Sequence, residues 1–122
     1  MTFILTQPVS TSSSSSNDGL TRVNNIPIAA GATVTVDSLS LVDLKMAKWS
    51  IVIENLTTTE RRSFELQALN KFSIDSDHTI YARMGDKIDT DININITTQF
   101  NLDITNNESD TLYVSFIRDR IS

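Results

Sequence analysis

Residues Ile88–Ile104, IDTDININITTQFNLDI, alternate apolar and polar side chains with a period of two. Ile88, Ile92, Ile94, Ile96, Phe100, Leu102 and Ile104 hold the even positions. Asp89, Asp91, Asn93, Asn95, Gln99, Asn101 and Asp103 hold the odd ones, and only Thr90 and Thr98 interrupt the apolar series. Successive side chains of a strand point to opposite faces, so this segment has one dry face and one wet face. That is the pattern of an antiparallel sheet solvated on one side. Drawn as a single strand it would span roughly 55 Å at about 3.3 Å per residue, against a usual ~17–20 Å. The length therefore predicts a corner near Thr97-Thr98, where the chain passes from one sheet to another. The alternative is an extended strand shared between subunits.

The flanking segments read the same way. Arg22 to Ile28 is extended, with Pro27 keeping Ile26 out of the helical region. Ala29-Ala30-Gly31 is a turn, and Val34 and Val36 then alternate with Thr33 and Thr35. Leu41, Leu44 and Lys45 fit one helical turn at most. Trp49, Ile51 and Ile53 form a strand, joined through the Asn55–Glu60 hairpin loop to Phe64, Leu66 and Ala68. Asp75-Ser76-Asp77 reads as a turn. Ile80, Ala82 and Met84 are expected on one strand face, with Tyr81 and Arg83 on the other. Gly85-Asp86 ends that strand, Asn106 to Asp110 is a turn, and Leu112, Val114 and Phe116 make the last strand. Short strands between polar turns predict an all-β fold, an antiparallel β-sandwich of jelly-roll or immunoglobulin-like form over 20–122.

The first nineteen residues differ in kind. Phe3-Ile4-Leu5 is a short strand-like core, and an unbroken serine run covers Ser12 to Ser16. Residues 1–19 read as an N-terminal arm and serine-rich linker. Residues 1–9 are read either as an arm that adds a strand to a neighbouring subunit or as a disordered tail with a chance apolar patch.

Composition narrows the function. The chain has 122 residues, no cysteine and a formal net charge of -5. Disulfides and cysteine metal sites are excluded. A phosphate backbone would be repelled, so no nucleic-acid partner is expected. No basic region precedes an apolar run and no window reaches membrane-spanning length, so no membrane partner is expected and synthesis is placed in the cytoplasm.

Chemistry is sparse. His78 is the sole histidine, beside Asp75 and Asp77, and no serine stands in a nucleophile elbow. Asp86, Asp89 and Asp91 could offer oxygen ligands to calcium, but their spacing is not that of an EF-hand, and a solvated face accounts for them. Trp49 reads as core, while Tyr81 and Tyr113 fall opposite the apolar faces of their strands. The three Asn-x-Ser/Thr triplets, at Asn55, Asn95 and Asn107, are chance matches in a chain without a secretion signal. Neither catalytic, cofactor nor metal residues are assigned, and the chain is expected not to be an enzyme.

Several segments carry a resemblance: Asp37, Ala47-Lys48-Trp49-Ser50-Ile51, Arg62 to Ala68, His78-Thr79-Ile80-Tyr81-Ala82, Gly85-Asp86, and Leu112 to Arg118. In this order they resemble small β-sandwich virion proteins of tailed bacteriophages, especially cyanobacterial phages. The resemblance spans roughly Val34 to Arg120. It implies a structural particle component repeated about a symmetry axis, with copies of itself and other virion proteins as partners. Similar patterns recur in fibre, neck, baseplate and capsid-associated proteins. A head-stabilising capsid decoration protein and a carbohydrate-binding module for host attachment are the alternatives, the latter with a glycan as partner.

Overall fold

The computed structural model describes residues 20–122. The expected arm, its Phe3-Ile4-Leu5 core and the serine linker lie outside the described residues.

Eight strands and no helix are found among those residues: β1 (Thr21–Ile28), β2 (Thr33–Ser40), β3 (Met46–Asn55), β4 (Glu60–Lys71), β5 (Asp75–Gly85), β6 (Thr90–Ile96), β7 (Gln99–Asn106) and β8 (Leu112–Ile121). They form a large sheet, ordered β1-β8-β3-β4-β5, and a small one, ordered β2-β7-β6. All pairings are antiparallel. Trp49, Ile51, Ile53, Phe64 and Leu66 from the large sheet meet Val36, Leu39, Ile94, Phe100, Leu102 and Ile104 from the small one. The architecture is the expected antiparallel β-sandwich.

The Ile88–Ile104 segment does break at Thr97-Thr98, but as a hairpin and not as a corner. β6 and β7 pair within the same sheet, with Ile96 opposite Phe100. The Thr97 N–H donates to the Gln99 carbonyl at 2.9 Å to close the turn. Three residues separate the paired positions, so both strands keep their apolar groups on even numbers. An odd loop preserves the phase, and the alternation runs through the turn unmarked.

Two other expectations are corrected. Asp75-Ser76-Asp77 is the start of β5, opposite Lys71, Asn70 and Leu69. The turn lies one step earlier, at Lys71–Ile74, closed by the Ile74 N–H on the Lys71 carbonyl at 3.2 Å. Its central residues, Phe72 and Ser73, both have positive φ, 58° and 61°. Further along β5, Ala82 sits at φ 54° in a bulge. Ile80 faces Leu66 on the core side, but Met84 faces Ser63 on the outer side. Ile80 and Met84 therefore lie on opposite faces, because the extra residue inverts the phase.

A second bulge has larger consequences. In β2, Thr35 pairs with Asp103 and Asp37 with Leu102, which leaves Val36 as the extra residue. Asp37 is thereby turned toward the interior. Its Oδ2 accepts the Trp49 indole N–H at 2.9 Å and the Arg118 Nε–H at 2.9 Å. Trp49 and Arg118 are register partners across β3 and β8. The side chains of Arg118 and Asp37 are only 11% and 9% exposed. One step on, the buried Arg120 donates to the Ser40 and Val42 carbonyls at 3.4 and 3.1 Å. The apolar interior thus closes at this end with a carboxylate and two arginines.

Asp37→Ala is expected to cost about 3 kcal/mol, because it leaves a buried guanidinium and an indole N–H without their acceptor. Asp37→Leu combined with Arg118→Met should recover much of that loss. Urea denaturation of the two variants checks this; equal losses would show that the ion pair is not the origin.

Candidate functional site

The chemistry-bearing residues do not converge. Asp89 and Asp91 share the wet side of the small sheet, where the Asn107 amide Nδ2 donates to both, at 3.4 and 3.1 Å. Asp86 is directed elsewhere. Its Oδ2 accepts the Arg61 N–H at 3.0 Å, and its own N–H donates to the Arg61 carbonyl at 2.9 Å. Gly85, at φ +91°, permits this grip, since a Cβ there would strike the Arg61 carbonyl. Among the described residues no three His, Cys, Asp or Glu side chains gather as a metal-binding group.

His78 is exposed in β5, opposite Ala68. Asp75 is paired with Lys71 at 3.7 Å, and Asp77, the strand neighbour of His78, points to the opposite face. Tyr81 and Tyr113 lie on the outer face of the large sheet, opposite Glu65 and Glu54. They sit in β5 and β8 with β3 and β4 between, too far apart for one stacking platform. Asn55 is buried, caps its hairpin by accepting the Thr57 and Thr58 N–H groups, and donates to Asp110 at 3.1 Å.

Two surface features stand out instead. The first is an apolar end, beyond the Asp37–Arg118 closure. Backbone hydrogen bonds run in a row across it: Lys45 N–H to the Ile121 carbonyl and Asn70 N–H to the Lys45 carbonyl, both 2.9 Å. Ile121, Met46 and Leu69 are register neighbours on the outer face, so they form an apolar row across β8, β3 and β4. Leu69 and Ile121 are about half exposed, and Val42 in the β2–β3 connection is more so. At the β4–β5 tip, Phe72 is 94% and Ile74 87% exposed. Leu69 and Phe72 line a depression here with Asp43, Leu44, Lys45 and Ser122. Sequence reasoning missed this surface because it placed the turn at Asp75.

The second feature is a small cleft of about 220 Å³ where β4 and β5 overhang β6. Phe64, Ile80, Ile88 and Ile92 supply its apolar walls, and Arg62, Arg83 and Lys87 stand around it. Among the described residues no carboxylate pairs with these three cations. Asp89, the acid in the cleft, is engaged by Asn107.

No family model matches the chain, and no curated protein matches it. Among solved structures it is similar to the Acinetobacter phage vB_ApiP_P1 tailspike protein, with a TM-score of 0.60 and 15% sequence identity. The similarity covers 92% of this chain and 23% of that one, so this chain spans less than a quarter of the tailspike's length. At that identity the likeness is one of fold.

A calcium site with Kd near 10⁻⁴ M would add about 2 kcal/mol of stability at about 5 mM calcium. With the Asn107 amide already donating to Asp89 and Asp91, no such gain is expected. A thermal scan with and without calcium, read against chelator, is the check.

Proposed function

We propose that the chain is a structural component of a tailed-phage virion. It associates with copies of itself and docks on tail, neck or baseplate proteins, with the capsid surface as the alternative location. The observation that carries this reading is the fold likeness to a tailspike segment over 92% of this chain. Two further features support it. Among the described residues potential catalytic groups are scattered over separate faces, and the sandwich ends in exposed apolar side chains of the kind that mark interaction sites. Nothing in this role requires a reactive side chain; it requires a rigid core and a surface to present. Mass spectrometry of gradient-purified particles is the test. The chain should co-purify with particles in a fixed number of copies, and its confinement to the soluble lysate would reject the role.

The cleft beside Arg62, Arg83 and Lys87 favours a second reading, a module that holds an acidic saccharide. Three cations without carboxylate partners suit one oxyanion, and the isoleucine walls suit the C–H face of a ring. On a glycan array, binding should be confined to acidic glycans and should fall at least about tenfold with Arg62→Gln, the loss of one charge-assisted contact. Equal signals from neutral glycans would remove this reading.

A further inference from the structure

We propose that the apolar end at the β4–β5 tip is the contact between two copies of this chain, packed end to end about a two-fold axis. This rests on the self-association proposed above and identifies the surface and the partner.

Phe72 carries the inference furthest. It is a central residue of a turn whose two inner positions both have positive φ. Asparagine and glycine suit that left-handed conformation, and a bulky aromatic does not. Among the described residues Phe72 gains little in exchange, since it is 94% exposed. An aromatic held against its backbone preference and presented to solvent is a group placed for a contact outside the subunit.

The area fits a self-contact. Phe72 alone presents about 200 Å². With Leu69, which shares a depression with it, and Ile121 in the row through Met46, the patch reaches the several hundred Å² at which exposed apolar surface marks an interface. A stable interface needs about 800 Å² per partner, commonly an apolar centre within a polar rim. The rim is present: Asp43, Lys45, Lys71 and Asp75 surround the apolar centre, all exposed.

Charge argues for a second copy at this place. The chain is acidic overall, at -5, so two copies repel on most approaches. β2, β6 and β7 contain neither lysine nor arginine, and the small sheet's outer face carries Asp91 and Asp103. Bringing two small sheets together would oppose like charges. The apolar end instead has both signs on its rim, Lys45 and Lys71 beside Asp43, Asp75 and Asp77, the last opposite Leu69. A two-fold axis sets each patch against itself, so Lys45 of one copy can face Asp43 or Asp77 of the other, while Lys71 and Asp75 pair within each copy.

Sedimentation equilibrium on the full chain tests the proposal with two variants, Phe72→Asn and Leu56→Ser. Asparagine tolerates the turn geometry better than phenylalanine, so F72N should fold, as circular dichroism and an unreduced Tm will verify. Leu56 is an exposed leucine at the opposite end, in the β3–β4 hairpin. The wild-type chain, 13.6 kDa, should sediment as a dimer. F72N should raise the dissociation constant at least tenfold, and L56S should leave it unchanged. A wild-type monomer throughout, a dimer indifferent to F72N, or equal loss in L56S would each overturn the proposal. So would a monomer whose Phe72 region is protected from hydrogen exchange until Phe3-Ile4-Leu5 is replaced by serines, since that assigns the surface to the chain's own N-terminal segment. A dimer indifferent to F72N that is still found in particles removes this interface while leaving the virion role standing. Absence from particles removes that role, whatever the dimer does.

Discussion

One carboxylate joins the two sheets where the apolar core stops. The bulge at Val36 turns Asp37 inward, and a single oxygen then takes both the Trp49 N–H and the Arg118 Nε–H. Each of those donors would otherwise be buried without an acceptor. A pair this dry adds less net stability than its Coulomb attraction suggests, because both ions lose their hydration. Its stronger effect is on register. Sliding β2 by one residue against β7 would send Asp37 to the solvent side and strand the guanidinium inside. The same end holds Arg120, which fixes the β2–β3 connection through the Ser40 and Val42 carbonyls. Val42, Asp43 and Lys45 thereby take their places beside Ile121 and Leu69, and the apolar end is built on that closure.

The sequence makes the faces of the strands legible and their connections much less so. Alternation identifies which side chains are inside: Phe100, Leu102 and Ile104 are buried as their even positions require. It is blind to a three-residue turn, which returns the chain in phase, and Thr97-Thr98 carries none of the glycine or asparagine that ordinarily marks a hairpin. Bulges leave a fainter trace. Val34, Val36 and Leu39 change parity across Asp37, and Val23, Ile26 and Ile28 change it across Asn24-Asn25, where Asn25 has φ 57°. A phase slip within one strand is the local signal for an extra residue. At Ala82 even that signal fails, because Met84 restores the even series while facing outward.

The candidate surface was less legible than the fold, for a physical reason. Composition draws attention to Asp86, Asp89 and Asp91, yet hydrogen bonds to Arg61 and Asn107 draw these carboxylates to different partners. Phe72 and Ile74 look like ordinary strand residues in a chain rich in such residues. Their meaning depends on the turn type at Lys71–Ile74, and the residues there contradict the preferences from which turn types are read. Asp75-Ser76-Asp77 satisfies those preferences and is strand. The site breaks a local rule, and a reading built on local rules passes over it.

The edges of the sandwich bear on how copies can meet. Among the described residues β1, β5, β2 and β6 are the edge strands, and any of them with a free ladder could recruit another chain. Each carries an obstacle to that. β1 has Pro27 and the Asn25 bulge, β2 the bulge at Val36, and β5 the Ala82 bulge with Asp75 and Asp77 near its start. β6 presents Asp91, Asn93 and Asn95 on the acidic small sheet. Lateral pairing would also be open-ended, since a strand added at one edge exposes a new edge beyond it. An end-to-end contact about a two-fold axis consumes both apolar patches and stops. The proposed contact is therefore self-limiting, where an edge contact is not. Guarded edges and an exposed apolar end thus agree with the proposed contact: the first disfavour pairing across the sheets, and the second leaves apolar side chains at the strand ends open to a partner.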